Sequence, residues 1–286
     1  MACQRPKNRT IMKCKIITRT LGLFALLVFA MPGCAPKKAV MPEDEAAFTW
    51  QAFAAKASAA EKGSGPYRIS SNLRYSVKGE SQRVSGILWS NATDGSPLRL
   101  DLVAGVGNIV AMIREDEQGF TAYVPSEKTA YVHPGGSRAL TAFGVPIPLT
   151  LHDLAMMASG RSGTLLLADE VLSGGRSAVP EVAGKNGDEV LFSLGQRGLG
   201  GFLELTQGGV PVFWSEHADA QSGWKIAFEL PDGGLRFKRL RITHPDGYEA
   251  LVVVKDVEYL PTVFSQSQLE LGLPKNIAVK PIYDDV

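Results

Sequence analysis

From Tyr67 onward the chain keeps a period of two, and that alternation limits what it can fold into. Tyr67, Ile69, Leu73, Tyr75 and Val77 interleave with Arg68, Ser70, Asn72, Arg74 and Lys78. A strand so patterned has one apolar and one wet face, as antiparallel sheets require. Gln82–Asn91, Leu98–Val103, Asn108–Arg114, Gln118–Val124 and Lys128–His133 continue the series with tight turns between them. Strands resume at Glu189–Leu194, Gly201–Gln207, Val210–Glu216, Gly223–Leu230, Leu235–Thr243 and Tyr248–Tyr259, with Gly208-Gly209 and Asp232-Gly233-Gly234 as hairpin signals. Successive short strands without intervening helices exclude a doubly wound parallel sheet and predict an antiparallel meander. Leu251–Val254 is apolar at every position, so that strand is expected to be covered on both faces.

Two stretches leave the period of two. Ala46–Lys62 places Ala46, Trp50, Phe53, Ala54 and Ala57 on one helical face, and Gly63-Ser64-Gly65-Pro66 ends it. Its aromatic stripe needs an apolar surface, which a sheet supplies. In Ser137–Gly160, Pro146 and Pro148 bar regular structure, after which Thr150 caps a short helix through Leu151, Leu154, Ala155 and Ala158 that stops at Gly160. Arg161–Asn186 is rich in Gly and Ser and gives no clear period.

The first 45 residues read as an address and a tether. Lys13, Lys15 and Arg19 precede the apolar run Leu21–Met31, and small or turn-forming residues lead to Cys34. That order is a secretory signal, and the run is too short for the roughly 20 residues that span a bilayer. Met31-Pro32-Gly33-Cys34 resembles the bacterial lipoprotein cleavage box, which implies lipid attachment at Cys34. Cys3, Cys14 and Cys34 are the only cysteines, so the folded part has no disulfide to form. The expected organisation is a signal peptide over 1–33, a Pro- and charge-rich tether over 34–45, and one domain over 46–286. Ala35 is not the Asp that marks inner-membrane retention in well-studied bacterial lipoproteins, so the expected location is the outer membrane, facing the periplasm.

Charge narrows the function classes. The chain has 30 basic and 29 acidic residues. Removing the leader takes six basic residues, leaving 24 against 29 and a formal charge of −5. That argues against nucleic acid, which needs clustered Lys and Arg, and against electrostatic adhesion to anionic lipid. His133, His152, His217 and His244 are far apart, and no Cys lies in the folded part, so no metal or other cofactor is expected. No nucleophile elbow or phosphate-binding loop occurs. Asp101 and Glu204 fall at polar positions of alternating strands and read as solvated carboxylates. No catalytic residue is assigned, and the chain is not expected to be an enzyme.

Several stretches together resemble a known family. Ser85-Gly86-Ile87-Leu88-Trp89 followed by Leu98-Arg99-Leu100-Asp101-Leu102, the turn Gly105-Val106-Gly107-Asn108, and Gly144-Val145-Pro146-Ile147-Pro148 with Leu151, Leu154 and Gly160 are similar to the bacterial lipoprotein carrier and receptor family, LolA and LolB. The likeness is closer to the outer-membrane receptor, and it covers roughly Ala46–Gly160. The lid departs from the family, having Ala155-Met156-Met157-Ala158 where an aromatic is usual.

The resemblance implies a mainly β fold: a curved, incomplete antiparallel β-barrel of about eleven strands with a helical lid, enclosing an apolar hollow for acyl chains. Leu73, Tyr75, Trp89, Leu100, Leu102, Met112, Phe202 and Phe228 are the candidate lining. Gly105, Val106 and Gly107 match the receptor's protruding turn, whose apolar tip helps release cargo into the membrane. The implied partners are acyl chains of lipoproteins or lipids, a soluble periplasmic carrier, and the outer membrane itself; a monomer is expected. The alternative keeps the fold without transport, as a sensor, regulator or scaffold in envelope assembly.

Overall fold

The computed structural model describes residues 43–60, 65–93, 95–167, 171–176 (backbone only), 189–195, 199–218, 221–231 and 234–284. The leader, Cys34 and most of the tether lie outside them, so the lipid-attachment expectation rests on sequence alone.

One curved, open sheet of fourteen strands carries the fold among the described residues. The first half is a meander: β1 (Tyr67–Val77), β2 (Glu80–Ser90), β3 (Leu98–Ala104), β4 (Asn108–Asp116), β5 (Gly119–Val124) and β6 (Thr129–His133). The second half runs β7 (Val171–Arg176), β8 (Val190–Leu194), β9 (Phe202–Leu205), β10 (Pro211–Ser215), β11 (Lys225–Glu229), β12 (Arg239–His244) and β13 (Tyr248–Tyr259), and β14 (Ala278–Pro281) closes the series. The spatial order is β14-β6-β5-β4-β3-β2-β1-β13-β12-β11-β10-β9-β8-β7. Thus β13 returns to pair with β1 in mid-sheet, from Tyr67 opposite Tyr259 to Ser76 opposite Glu249, and joins the two meanders. All pairings are antiparallel except β14, which runs parallel to β6.

Fourteen strands exceed the expected eleven or so. Strand β7 contains Gly174-Gly175, which weakens any strand signal, and β14 is an edge strand of four exposed residues ending in Pro281. A proline there also removes one outward N–H from an otherwise open edge.

Among the described residues, five helices lie off the sheet. α1 (Glu43–Ala60) precedes it; α2 (Ala139–Ala142), α3 (Leu151–Ser159) and α4 (Ser162–Leu166) fill the link between the meanders; α5 (Gln266–Leu269) follows β13. α1 buries Thr49, Phe53 and Ala57 on one stripe, with Trp50 packed against Phe53 and Phe192 at centroid distances of 5.3 and 5.2 Å. Gly209, at φ +70°, lets the β9–β10 turn press on this helix: a Cβ there would lie 2.3 Å from the Phe53 amide nitrogen. α3 has the expected ends. Thr150 and Asp153 form a reciprocal capping box, and Gly160 closes the helix in the left-handed conformation.

Cross-strand register sorts the side chains. Leu73, Val84, Leu240, Ile242, Ala250 and Val252 face the helices and are buried. The alternate positions form the other, open face. In β13 only Ala250 and Val252 are fully buried, while Leu251 and Val253 are half-buried on the open face. The expectation that both faces of this strand are covered therefore holds in full for the helix face and only in part for the open face. Its consecutive valines reflect a mid-sheet position between two partners and not a second covering layer.

Candidate functional site

The eight candidate lining residues divide between the two faces. Leu73 and Leu102 are 5% exposed on the helix-covered face, already packed into the core. Tyr75, Leu100 and Phe228 stand half-buried on that same face; Phe228 is opposite Leu240, which is opposite Val252, which is opposite Leu73. Tyr75 donates its hydroxyl to Gln82 Oε1 at 2.7 Å, and burial pushes that phenol up from its usual range.

Trp89, Met112 and Phe202 are on the open face and cannot line the same hollow. Trp89 is opposite Arg99, Met112 is opposite Asp101, and Phe202 is opposite Ser215. The cause is visible in the chain: Ile87-Leu88-Trp89 is apolar at three consecutive positions, so composition cannot say which residue faces which way. Trp89 and Met112 also have a different neighbour, Arg99, which holds the segment after β13. After β13 the chain crosses back as a strap, fastened where Asn91 and Phe264 exchange two hydrogen bonds, at 2.7 and 3.0 Å.

Arg99 holds this strap. Its guanidinium grips Asp101 through Nε and Nη2 at 2.9 and 3.0 Å and donates to the carbonyls of Gln268 and Glu270 at 3.1 and 3.0 Å. It also lies 5.5 Å from the Trp89 ring centroid and reaches Met112 Sδ at 3.6 Å. Asp101 is consequently 7% exposed, not solvated. Sequence reasoning gave Arg99 no role, although an Arg two residues before an Asp on one strand puts both on one face.

Glu204 is the larger correction. Expected in water, it is wholly buried opposite Phe213 and Leu191, and neither carboxylate oxygen has a hydrogen-bond partner among the described residues. Burial first, and then the neighbouring Glu189, pushes its pKa up to about 7. Glu115 is a second buried carboxylate. It accepts the Leu151 N–H and so satisfies the first turn of α3 from strand β4. Desolvation outweighs that hydrogen bond and raises Glu115 to about 7.

The β3–β4 turn projects. Gly105 and Gly107 have φ of +58° and +85°, open to glycine at no steric cost, and Val106 between them is fully exposed. Ile109, at the foot of the turn, is also exposed. The histidines lie apart where they are described: His133 contacts Asp284 at 3.2 Å, and His244 stacks on Trp224 at 4.7 Å. Among the described residues no group of three His, Cys, Asp or Glu could hold a metal ion.

A hollow of about 370 Å³ is outlined by described residues, and it is not the apolar one expected. Arg74, Ser76, Ser81, Arg241, Thr243, Glu249 and Leu251, all of open-face parity, supply its wall, and Tyr75 is the only expected lining residue among those around it.

No protein-family model matches the chain. No curated protein matches it either. Among solved structures, the chain is similar to a LolA superfamily protein of Nitrosomonas europaea, with 12% identity, 74% of this chain and 94% of the other covered, and a TM-score of 0.47. It is similar to a DUF1329 family protein of Desulfovibrio piger at 12% identity, covering 78% and 99%, TM-score 0.48. A domain named for outer membrane lipoprotein sorting, from Vibrio parahaemolyticus, aligns at 13% identity over 76% and 94%, TM-score 0.46.

Proposed function

We propose that this chain is an outer-membrane-anchored lipid-binding protein that receives the acyl chains of lipoproteins and passes them to the membrane. The observation that carries the reading is Val106, a fully exposed aliphatic side chain on a glycine-flanked tip with nothing to pack against. An apolar residue held in water at a turn tip has a use where the tip meets hydrocarbon. Half-buried Tyr75, Leu100 and Phe228 give the helix-covered face apolar surface that an acyl chain can complete, at roughly 0.8 kcal/mol per methylene removed from water. Transfer of this kind needs no nucleotide and no covalent step. The cargo passes from a carrier to a tighter pocket and then to the bilayer as the deepest sink.

Replacing Val106 with Glu tests the reading. Cargo binding should persist while delivery to vesicles slows severalfold; unchanged delivery removes the role of the turn. Mass spectrometry of the purified protein should find stoichiometric acyl chains.

One observation favours the alternative, a scaffold or sensor without cargo. Leu73 and Leu102 are already buried by the protein's own side chains, so part of the expected hollow is solid. Absence of co-purifying lipid, with unchanged behaviour of the Val106→Glu protein, supports that alternative.

A further inference from the structure

Seven arginines with described side chains sit on the open face of the sheet, and four have carboxylate partners. Arg68 pairs with Glu258 at 2.6 Å, Arg99 with Asp101 at 2.9 Å, Arg114 with Asp116 at 2.5 Å and Arg239 with Glu229 at 3.1 Å. Arg74, Arg83 and Arg241 are exposed and have neither an ion pair nor a side-chain hydrogen bond among the described residues. Register sets these three in one transverse row: Arg83 opposite Arg74, Arg74 opposite Leu251, and Leu251 opposite Arg241. Like charges directly opposite each other destabilise a sheet. The Arg83–Arg74 pair is thus a cost that no ion pair among the described residues offsets, and an anion beside it reverses the sign.

The adjoining row completes a site. Ser81, Ser76, Glu249, Thr243 and Lys225 are opposite one another in that order. The hollow of about 370 Å³ lies between the two rows, with Arg74 and Arg241 on either side of Leu251, and Ser76, Ser81 and Thr243 as hydroxyl donors. Guanidinium forks match phosphate oxygens two at a time. The volume is that of a small-ligand site, large enough for a phosphorylated headgroup and not only a bare ion.

The site also sits at a telling end of the sheet. Val103, two residues before Gly105, is opposite Ser85, two residues after Arg83, so the arginine row and the exposed Val106 turn share one end of the sheet. An apolar tip beside a basic row is the arrangement that meets hydrocarbon and phosphate at neighbouring depths of one membrane surface.

We propose that the Arg74–Arg241 hollow binds a phosphate-type oxyanion, carried in the first place by a membrane lipid headgroup. This does not depend on the protein carrying acyl cargo, since the hollow is on the face opposite Leu73 and Leu102. Arg74 and Arg241 hold the phosphate, Arg83 adds attraction from one side, and Leu251 packs against the glycerol portion. Glu249 opposes excess negative charge.

The test uses the purified full chain, with glycerol 3-phosphate as the soluble probe and phosphatidylcholine vesicles with or without phosphatidylglycerol as the surface probe. Arg74→Gln and Arg241→Gln should each weaken glycerol 3-phosphate binding about tenfold, and Glu249→Gln should tighten it severalfold, an effect that misfolding cannot imitate. Vesicle binding should rise with phosphatidylglycerol, fall with added salt, and lose its phosphatidylglycerol dependence in Arg74→Gln/Arg241→Gln. Arginine-dependent binding of the soluble ester without any arginine dependence on vesicles overturns the lipid source and assigns a free phosphate ester. Binding absent from both probes, or equal in parent and variants, overturns the site.

Discussion

Replacing Glu204 with Gln isolates what it costs to keep a carboxyl group where no hydrogen bond reaches it. Glu204 is wholly buried, both its oxygens lack partners, and its pKa stands at about 7 against an ordinary 4.5. The folded chain therefore holds this proton more tightly than the unfolded chain. Between pH 4.5 and pH 7 the folded state binds more protons, so stability is full below 4.5, falls as pH rises through that window, and levels off above 7. The difference between 4.5 and about 7 corresponds to an upper limit of about 3 kcal/mol. Glutamine has nearly the same shape and never ionises, so Glu204→Gln should match the parent near pH 4 and exceed it by about 2–3 kcal/mol at pH 8. Urea unfolding at several pH values between 4 and 8, with the m-value unchanged, measures this directly. Glu115 titrates in the same window, so Glu204→Gln should flatten about half of the parent's slope. Glu115→Gln, which still accepts the Leu151 N–H, should flatten the rest. Identical slopes in the parent and Glu204→Gln refute the reasoning, because the carboxylate would then be solvated or paired in the folded state.

Other substitutions test the packing. Arg99→Ala leaves Asp101 buried without its partner and frees the strap carbonyls of Gln268 and Glu270, for a loss of about 3–5 kcal/mol in denaturant unfolding and faster proteolysis after Tyr259. Arg99→Lys should recover only part, since an ammonium cannot reproduce the two-pronged grip. Gly209→Ala should cost about 2 kcal/mol or more, because its Cβ would strike the Phe53 backbone at a positive φ. On α1, Phe53→Ala should cost about 3–5 kcal/mol, whereas Phe48→Ala, 67% exposed, should stay within about 0.5 kcal/mol.

What the sequence shows well is what depends on one strand at a time. Period-two runs locate β1 to β6 and β8 to β13 within a few residues, and the Thr150 and Gly160 signals bracket α3, because caps and alternation are local. What it hides depends on what comes to lie over a face. Asp101 and Glu204 occupy polar positions by alternation and are nonetheless buried, since alternation says which way a side chain points and not whether another segment covers it. Trp89 and Met112 fail as lining for the same reason in reverse. They are apolar and half-buried on the open face, beside the arginine that holds the strap, and not under the helices. The strap itself has no strong pattern of its own and is fixed by contacts with residues more than 160 positions away, such as Arg99 with Gln268.

The charge count shows how an average can mislead about a surface. The formal charge of −5 expected once a leader is removed argues against nucleic acid and anionic lipid, yet charge acts over a Debye length of about 8–10 Å, not over a whole domain. On the open face four acids are already committed: Glu258, Asp101, Asp116 and Glu229 each neutralise one arginine. Within the Arg83–Arg74–Arg241 row and its neighbour, Lys225 adds a fourth positive group against the one carboxylate of Glu249. The local sign is therefore opposite to the global one. Low net charge also confers an advantage here, because a weak overall field lets an anion be selected by the shape of two guanidinium forks instead of being gathered indiscriminately. Screening separates the two regimes. Non-specific attraction of a basic protein collapses steeply with salt, whereas a two-arginine hollow should lose only the modest affinity that a few contacts carry.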